Sequence, residues 1–377
     1  MLNVGVIGLG NGGNQQALLA KRRWAIDSMA INCSERDLST LGNEIPTYVI
    51  GDARGAGKNR DEAKRSLKES IQSVLQKKEF VSFCEDKDVV FINSTTGGGT
   101  GSGIAPLFCE ICSKVFPDQL FILVATIPTL NEGMSTQLNT IEYLKELYNT
   151  LNNVTYMIYD NDKLAELPSH IMMQKINESV VDDINALRCY FNATTQYSSI
   201  DEKDMMTILA TPGRIFVSRL EKINEKDTDT ISIEDMIVKN IKTNAHAEIQ
   251  RDGAVNRTGI IVNVSTVMSE TLNTHVPAVQ NLVGSPVEEF EHITINTDRK
   301  MDNNVIFIMS GLSKIADRIL KINERIAEIE RLQDIESDDY DVLDNTEVSK
   351  LNSKRLYRTP AENADKVDLG SIFDKFK

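Results

Sequence analysis

The run Gly97-Gly98-Gly99-Thr100-Gly101-Ser102-Gly103 places five glycines in seven residues. So little side chain lets backbone N–H groups close around a phosphate at the positive end of a following helix. A second glycine loop, Gly8-Leu9-Gly10-Asn11-Gly12-Gly13, has the GxGxxG spacing. On its own that spacing fits the pyrophosphate of a dinucleotide, with Glu35 or Asp37 able to bind a ribose, as in an NAD-dependent oxidoreductase. Two separated loops supply more backbone donors than one pyrophosphate needs, which favours a nucleoside polyphosphate; a bulky residue at Thr100 or Gly101 is then expected to fill the phosphates' space. A third loop, Gly51-Asp52-Ala53-Arg54-Gly55-Ala56-Gly57-Lys58-Asn59, approaches a Walker A motif through Gly57-Lys58. It departs from that motif at Asp52, where glycine is required, and at Asn59, where a magnesium-binding hydroxyl is required. Far along the chain, Asp201 and Asp204 stand three residues apart at a helix start. Such carboxylates can share a helical face and hold one water for phosphoryl transfer, or they can simply satisfy an N-terminal turn.

These residues need strands and helices to hold them. Leu2 to Gly8 is a strand entering a glycine loop, and Gln15 to Arg23 has the pattern of a helix. Met29 to Ile31, Thr47 to Ile50, Val89 to Ile92, Leu120 to Thr126 and Val154 to Tyr159 are apolar, strand-like runs. Between them, helical patterns span Arg60 to Lys77, Gly103 to Val115 and Gly133 to Tyr148. The alternation predicts an α/β fold: a parallel, Rossmann-like sheet covered on both faces, with ligands at the carboxyl ends of its strands. One long helix is predicted from Pro168 to Asn192, then a smaller α+β unit that opens at Asp201 to Leu209. Its strands are expected at Arg214 to Val217, Thr258 to Val264, His292 to Ile295 and Asn304 to Met309.

From Lys314 on, Ile315, Ile319, Ile322, Ile326 and Ile329 form a heptad-like stripe on a charged helix. The stripe is too short for a free coiled coil, so the helix is expected to pack on its own domain or on a neighbouring subunit. Residues 324–347 carry a net charge of −8 and residues 349–377 a net of +3. The expected organisation is residues 1–167 as a nucleotide-binding domain, 168–197 as a central helix, 198–312 as a second domain, 313–344 as a long helix and 345–377 as a disordered tail.

With 377 residues, 41% of them hydrophobic, the chain can bury two ordinary cores. No signal-peptide pattern and no run near the roughly 20 apolar residues of a membrane span is present, so a cytoplasmic location is expected. The formal net charge of −14 argues against direct nucleic-acid binding by the globular body. Five cysteines, among them a CxxC at Cys109 and Cys112, lack the density of a disulfide scaffold and the second pair of a zinc site. They are expected to be reduced and structural. The four histidines are dispersed.

GGGTGSG, taken with the other two loops, resembles the signature of the tubulin and FtsZ superfamily of self-assembling GTPases. The likeness spans about residues 1 to 312, strong in the first half and weak in the second. It implies that Gly10, Asn11, Gly12, Gly13, Asn14 and Gln15 form the first phosphate loop. Asn32, in Asn32-Cys33-Ser34, stands in the second loop, and Gly55, Ala56, Gly57 and Lys58 in a third that senses the γ-phosphate. Gly97, Gly98, Gly99, Thr100, Gly101 and Ser102 form the main cradle. Pro128 to Gly133 is similar to the ribose-side loop, with Glu132 as ribose contact, and Asn161-Asp162-Lys163-Leu164 matches a frequent family run. Asn177 stands where the family reads guanine. Two positions depart from the pattern: Met173 replaces a base-stacking aromatic residue, and Thr136 replaces an arginine near the ribose. Ser199 to Asp204 resembles the loop with which one subunit activates hydrolysis in the next, which gives Asp201 and Asp204 a catalytic role across an interface.

A small second domain, a long charged helix and a short basic tail look most like the plasmid and phage partitioning tubulins, the TubZ group. This implies GTP, GDP and Mg2+ as cofactors, with no assignable metal ligands, head-to-tail self-assembly in a bacterial cytoplasm, and no direct membrane contact. It further implies a DNA-bound adaptor protein as partner, recruited through the tail. The alternatives are an FtsZ-like cell-division filament protein and the NAD-dependent oxidoreductase.

Overall fold

The computed structural model describes residues 2–149, 151, 153–189, 199–224, 232–250, 255–269, 277–296 and 302–341. The expected tail, 345–377, lies outside them. The first half alternates as the sequence pattern requires. β1 (Val4–Leu9) leads into α1 (Gly10–Trp24), β2 (Asp27–Asn32) into α2 (Glu35–Ser39), and β3 (Thr47–Val49) into α3 (Arg60–Leu75) and α4 (Lys78–Glu85). β4 (Val89–Thr95) precedes α5 (Thr100–Val115), β5 (Leu120–Ile127) precedes α6 (Met134–Asn149), and β6 (Thr155–Asp160) ends in a 3₁₀ turn, Asn161–Leu164. α7 (Ser169–Cys189) follows, then α8 (Glu202–Leu209), β7 (Gly213–Leu220), α9 (Ile233–Thr243), β8 (Arg257–Ser265), α10 (Thr266–Ser269), α11 (Pro277–Val283), β9 (Glu288–Asn296), β10 (Asn304–Leu312) and α12 (Ala316–Asp341).

All ten strands form one sheet in the order β3-β2-β1-β4-β5-β6-β7-β10-β8-β9. The strands from β3 to β7 run parallel. β10 runs against both of its neighbours, and β8 and β9 are again parallel. The second unit is therefore continuous with the first through a short pairing of Thr155, Tyr156 and Met157 with Gly213, Arg214 and Ile215.

Side chains alternate along each strand, so the sheet buries apolar side chains on both of its faces. Ile7, Leu9, Val90 and Ile92 pack with Leu67, Phe80, Phe108 and Tyr143 from α3 to α6. Val4, Val6, Val89 and Phe91 pack on the opposite face with Ala17, Ile176, Val180 and Ile184 from α1 and α7. Cys109 and Cys112 are buried on α5 and Cys84 on α4. Burial pushes the Cys84 and Cys109 thiols up to about 12, which suits inert packing residues rather than redox groups.

α12 lies on its own chain. Ile322 and Ile326 pack with Ile141 of α6, and Leu130 and Met134 join them. No helix among the described residues is long and apolar enough to cross a membrane.

Candidate functional site

The strand order reverses between β1 and β4, and a doubly wound sheet opens a crevice at the carboxyl ends of such a pair. The two glycine loops sit there, at Leu9 and at Thr95. They start their helices earlier than the pattern predicts: α1 begins at Gly10 instead of Gln15, and α5 at Thr100 instead of Gly103. Glycine can enter a helix's first turn where neighbouring backbone leaves no room for a Cβ, and that closeness is visible here. A Cβ on Gly10, whose φ is +70°, would lie 2.7 Å from Gly101 N. One on Gly12 would lie 2.4 Å from Thr95 Cγ2, and one on Gly13 2.1 Å from Asn93 O. The third loop joins from β3, where a Cβ on Gly99 would stand 3.0 Å from Lys58 N. Gly55 N donates to Cys33 O at 2.8 Å, which ties that loop to the Asn32-Cys33-Ser34 segment.

Neither α1 nor α5 has a side-chain N-cap hydrogen bond or an acidic residue in its first turn. Uncapped N–H groups at two adjacent helix starts, with no carboxylate to neutralise the dipoles, suit an anionic ligand. Buried polar groups nearby lack partners as well. Asn14 is 1% exposed, and neither its Oδ1 nor its Nδ2 has a partner; Asn161 Oδ1 is also unpartnered.

The remaining candidates divide by the direction they face. A Cβ on Gly98 would meet only Thr95 Oγ1, at an ordinary contact distance of 3.9 Å. Ser102 is fully buried, and its hydroxyl donates to Gly98 O, inside the loop. Gly101 also faces inward: a Cβ there would lie 2.8 Å from Leu9 O. The expectation that a larger residue at Gly101 fills phosphate space is corrected accordingly; it would collide with backbone beneath the cradle. Lys58 is exposed, and its Nζ donates to Thr136 Oγ1 at 3.1 Å. A cation therefore stands beside the position where the family pattern would have placed an arginine. Glu132 Oε1 accepts from Thr129 N at 3.2 Å. Desolvation raises its carboxyl pKa against that bond and the charge of Lys58. Asn32 Nδ2 donates to Asp37 Oδ2.

On the other side of α1 a cleft of about 350 Å³ is lined by Gln15, Leu18, Arg22, Gln174, Asn177 and Glu178. Met173 on α7 is 51% exposed. Asn177 Oδ1 accepts from Gln16 Nε2 at 3.0 Å. Gln16, fully buried, also donates to Thr126 Oγ1 at 3.1 Å, and its Oε1 accepts from Asn93 Nδ2 at 3.1 Å. Sequence reasoning singled out Gln15 and missed Gln16. The only signal was a polar residue on the buried face of α1.

Asp201 and Asp204 are not near these loops in the single chain. α7 runs back from the carboxyl end of β6 to the far end of α1, where Arg188 donates to Trp24 O at 2.5 Å. α8 then leads into β7, which begins opposite the start of β6. The two carboxylates form a capping box: Asp201 Oδ1 accepts from Asp204 N at 2.8 Å, and Asp204 Oδ2 from Asp201 N at 3.1 Å. One oxygen of each remains outside the box.

Residues 3–169 match the family described as "Tubulin/FtsZ family, GTPase domain". This segment is a tubulin/FtsZ-family GTPase domain. Over nearly its whole length the chain is 25% identical to the tubulin-like protein TubZ of Clostridium botulinum C phage, covering 93% of this chain and 92% of that one. It is 26% identical to the tubulin-like protein CetZ of Pyrococcus horikoshii over 50% of this chain. That match spans about half, 53%, of the CetZ chain. The fold is similar to a GTPγS-form protofilament of Bacillus thuringiensis serovar israelensis TubZ, with a TM-score of 0.67, 17% identity and coverage of 90% and 94% of the two chains. The tubulin/FtsZ domain thus accounts for β1 to β6 and the glycine loops, and the TubZ fold extends through the second unit.

Proposed function

We propose that the chain is a GTP-dependent filament protein that moves plasmid or phage DNA, hydrolysing GTP between successive subunits. The observation that carries this reading is the pair of uncapped helix starts, α1 and α5, meeting through their glycine loops at the reversal of strand order. The match to TubZ along nearly the full chain supports the partitioning role.

In this reading the N–H groups of Gly10 to Gly13 and Gly97 to Thr100 hold the phosphates, and Lys58 offsets their charge. Gln15 and Asn177 face the guanine across the cleft they line, Glu132 faces the ribose, Asn14 and Asn32 belong to the first and second phosphate loops, and Asn161 leaves its Oδ1 for the nucleotide. Among the described residues no group of three or more His, Cys, Asp or Glu side chains is placed to hold a metal ion alone. We assign Mg2+ to the nucleotide, whose phosphate oxygens are the hard ligands it would take. Asp201 and Asp204 lie at the opposite end of the molecule from the loops. A head-to-tail contact brings them to the next subunit's nucleotide, an open arrangement that grows into a filament. There they position a water whose oxygen bonds to the γ-phosphorus as the bond to the β,γ-bridging oxygen breaks, and GDP departs with that electron pair.

Nucleotide titration with GTP, GDP, ATP and NAD, followed by negative-stain imaging with GTP and with GDP, tests the reading. GTP binding and GTP-dependent filaments are expected; preference for ATP or NAD overturns it. Residues 349–377, outside the described residues, are assigned the adaptor contact. A chain ending at Ser349 should polymerise but fail to co-sediment with adaptor-coated DNA. The full chain's co-sedimentation should weaken steeply with salt.

A further inference from the structure

Asn139 on α6 belongs to none of the phosphate-binding motifs, yet its side chain meets two of the three loops. Its Nδ2 lies 3.0 Å from Lys58 O, 3.2 Å from Gly97 O and 3.0 Å from Gly98 O. Three carbonyls around one amide leave its orientation unambiguous, because an oxygen in that place would meet only acceptors. The helix that carries Asn139 is itself anchored to the same region. Arg60, at the start of α3 just beyond the Lys58 loop, donates through NH1 to Asn139 O at 3.1 Å and pairs with Glu146 of α6. Side chain and main chain of Asn139 are thus both tied to the segment around Lys58.

Peptide geometry turns this contact into a statement about the cradle. In a trans peptide the C=O of one residue and the N–H of the next point in opposite directions. The carbonyls of Gly97 and Gly98 are drawn toward α6, so the N–H groups of Gly98 and Gly99 are sent away from it. Those two N–H groups donate to no acceptor among the described residues, and a Cβ on Gly98 would meet only Thr95 Oγ1, at 3.9 Å. Gly98 O is held a second time by the hydroxyl of Ser102. Glycines have the freest backbones in the chain, and either peptide could rotate to hide its N–H. Asn139 opposes that rotation.

We propose that Asn139 is a positioning residue for the phosphate cradle: it fixes the Gly97–Gly98 and Gly98–Gly99 peptides with their N–H groups toward the ligand and locks the Lys58 loop to them. In this reading Asn139 does not touch phosphate itself; it acts through the glycine loop and the Lys58 loop. The proposal rests on the polyphosphate reading above and adds a residue to it. Removing the amide frees three carbonyls and two glycine peptides, so the loss should fall on phosphate binding and spare the base. An isosteric carboxylate at this position would repel all three carbonyls and do more harm than simple truncation.

The test is displacement of a fluorescent guanine nucleotide from the full chain by guanosine, GDP and GTP, in the unaltered protein and in Asn139→Ala, Asn139→Ser, Asn139→Asp and Leu138→Ala. Asn139→Ala should weaken GDP and GTP by about tenfold or more, the scale of one or two lost hydrogen bonds, with guanosine unchanged. Asn139→Ser, which reaches at most one carbonyl, should fall between, and it serves if Asn139→Ala does not fold. Asn139→Asp should be the weakest. Leu138→Ala, at an exposed neighbouring position, should bind as the unaltered chain does. Equal losses for guanosine and GTP, GTP affinity in Asn139→Ala within about twofold of the unaltered chain, or Asn139→Asp binding as well as Asn139→Ala would each overturn the proposal. If the unaltered chain binds no guanine nucleotide, the proposed function falls and takes this proposal with it. If the unaltered chain binds GTP and Asn139→Ala binds it equally, only the role of Asn139 falls.

Discussion

Arg318 of α12 and Asp160 at the carboxyl end of β6 form a buried ion pair, Nε to Oδ2 at 2.9 Å and NH2 to Oδ1 at 3.2 Å, with both side chains 7% exposed. The same NH2 reaches Pro128 O at 2.7 Å and Asp162 Oδ2 at 2.9 Å. Farther along α12, Arg325 Nε donates to Leu130 O at 3.2 Å. The C-terminal helix is therefore clamped onto the segments that carry Glu132 and Asn161. Desolvation raises the pKa of Asp160 in spite of its arginine, so the carboxylate depends on that partner to stay charged.

Removing the arginine should leave a buried charge uncompensated. Arg318→Ala is expected to cost about 3–5 kcal/mol in urea unfolding. Arg318→Met combined with Asp160→Asn removes both charges and should recover part of the loss. A single variant that unfolds at the same urea concentration as the unaltered chain would show that α12 is not held by this pair.

Stability should fall in mild acid because two imidazoles are kept neutral. His246 is stacked between Tyr159 and Phe216, with Asp183 Oδ2 3.0 Å from its Nε2 and Arg219 beyond. Desolvation lowers its pKa from 6.5, and the attraction of Asp183 does not offset this. His292 Nδ1 accepts from Ile200 N at 3.1 Å, and burial lowers its pKa too. On unfolding both return toward 6.5 and take up protons that the folded chain refuses. Folding is thus fully favoured above that value and weakens as pH drops below it. Melting temperatures measured from pH 7.5 downward should show this fall. His246→Gln and His292→Gln should each flatten part of it, and an unchanged slope in both variants would contradict the account.

The two glycines at 98 and 101 should respond differently to the same added methyl group. Gly101→Ala places a Cβ 2.8 Å from Leu9 O, and overpacking of that kind costs about 1–3 kcal/mol. A Cβ on Gly98 would meet only Thr95 Oγ1, at a relaxed 3.9 Å, so Gly98→Val should fold normally yet crowd the cradle. The expected outcome is a lowered melting temperature in the first and a loss of GTP affinity without lowered melting in the second. The reverse pattern would mean that Gly98, not Gly101, is the packing residue.

The β-loop-α rhythm was legible because glycine loops and apolar runs are local signals. Its boundaries were less so, since the glycines of both loops enter the helices and a glycine-rich stretch looks like a loop in sequence. α9, whose apolar face holds Ile233, Ile237 and Ile241, went unrecognised between stretches without strong periodicity. The join of the two units was hidden for another reason: three residue pairs link β6 to β7 across nearly sixty positions, too little pattern to register. Asn139 shows the same limit at the site. Its partners lie 81, 42 and 41 residues away, and nothing in its neighbourhood marks it as part of a phosphate cradle. The capping box at Asp201 and Asp204, by contrast, was one of the two readings open from sequence, and the folded chain displays it without excluding the other.

Those two readings of Asp201 can be separated, because a cap needs only an oxygen whereas water positioning needs a charge. Asp201→Ala removes both and costs about 1 kcal/mol from the lost cap alone, so a slow variant of that kind would prove little. Asp201→Ser keeps an N-cap acceptor for Asp204 N while deleting the carboxylate. If Asp201 completes the site of a neighbouring subunit, Asp201→Ser should melt near the unaltered chain, bind GTP with the same affinity and assemble, yet turn over GTP about a hundredfold more slowly, the scale of one general-base group. Filaments formed with GTP should then persist instead of disassembling as GDP accumulates. Mixing supplies a second check. Each active site in a head-to-tail contact draws its carboxylate from one subunit and its nucleotide from the next, so unaltered subunits should lose turnover in proportion to the Asp201→Ser chains incorporated beside them. Phosphate release that follows only the number of unaltered chains at concentrations too low for polymer would place hydrolysis within one subunit, and Asp201 would be a helix cap and nothing more.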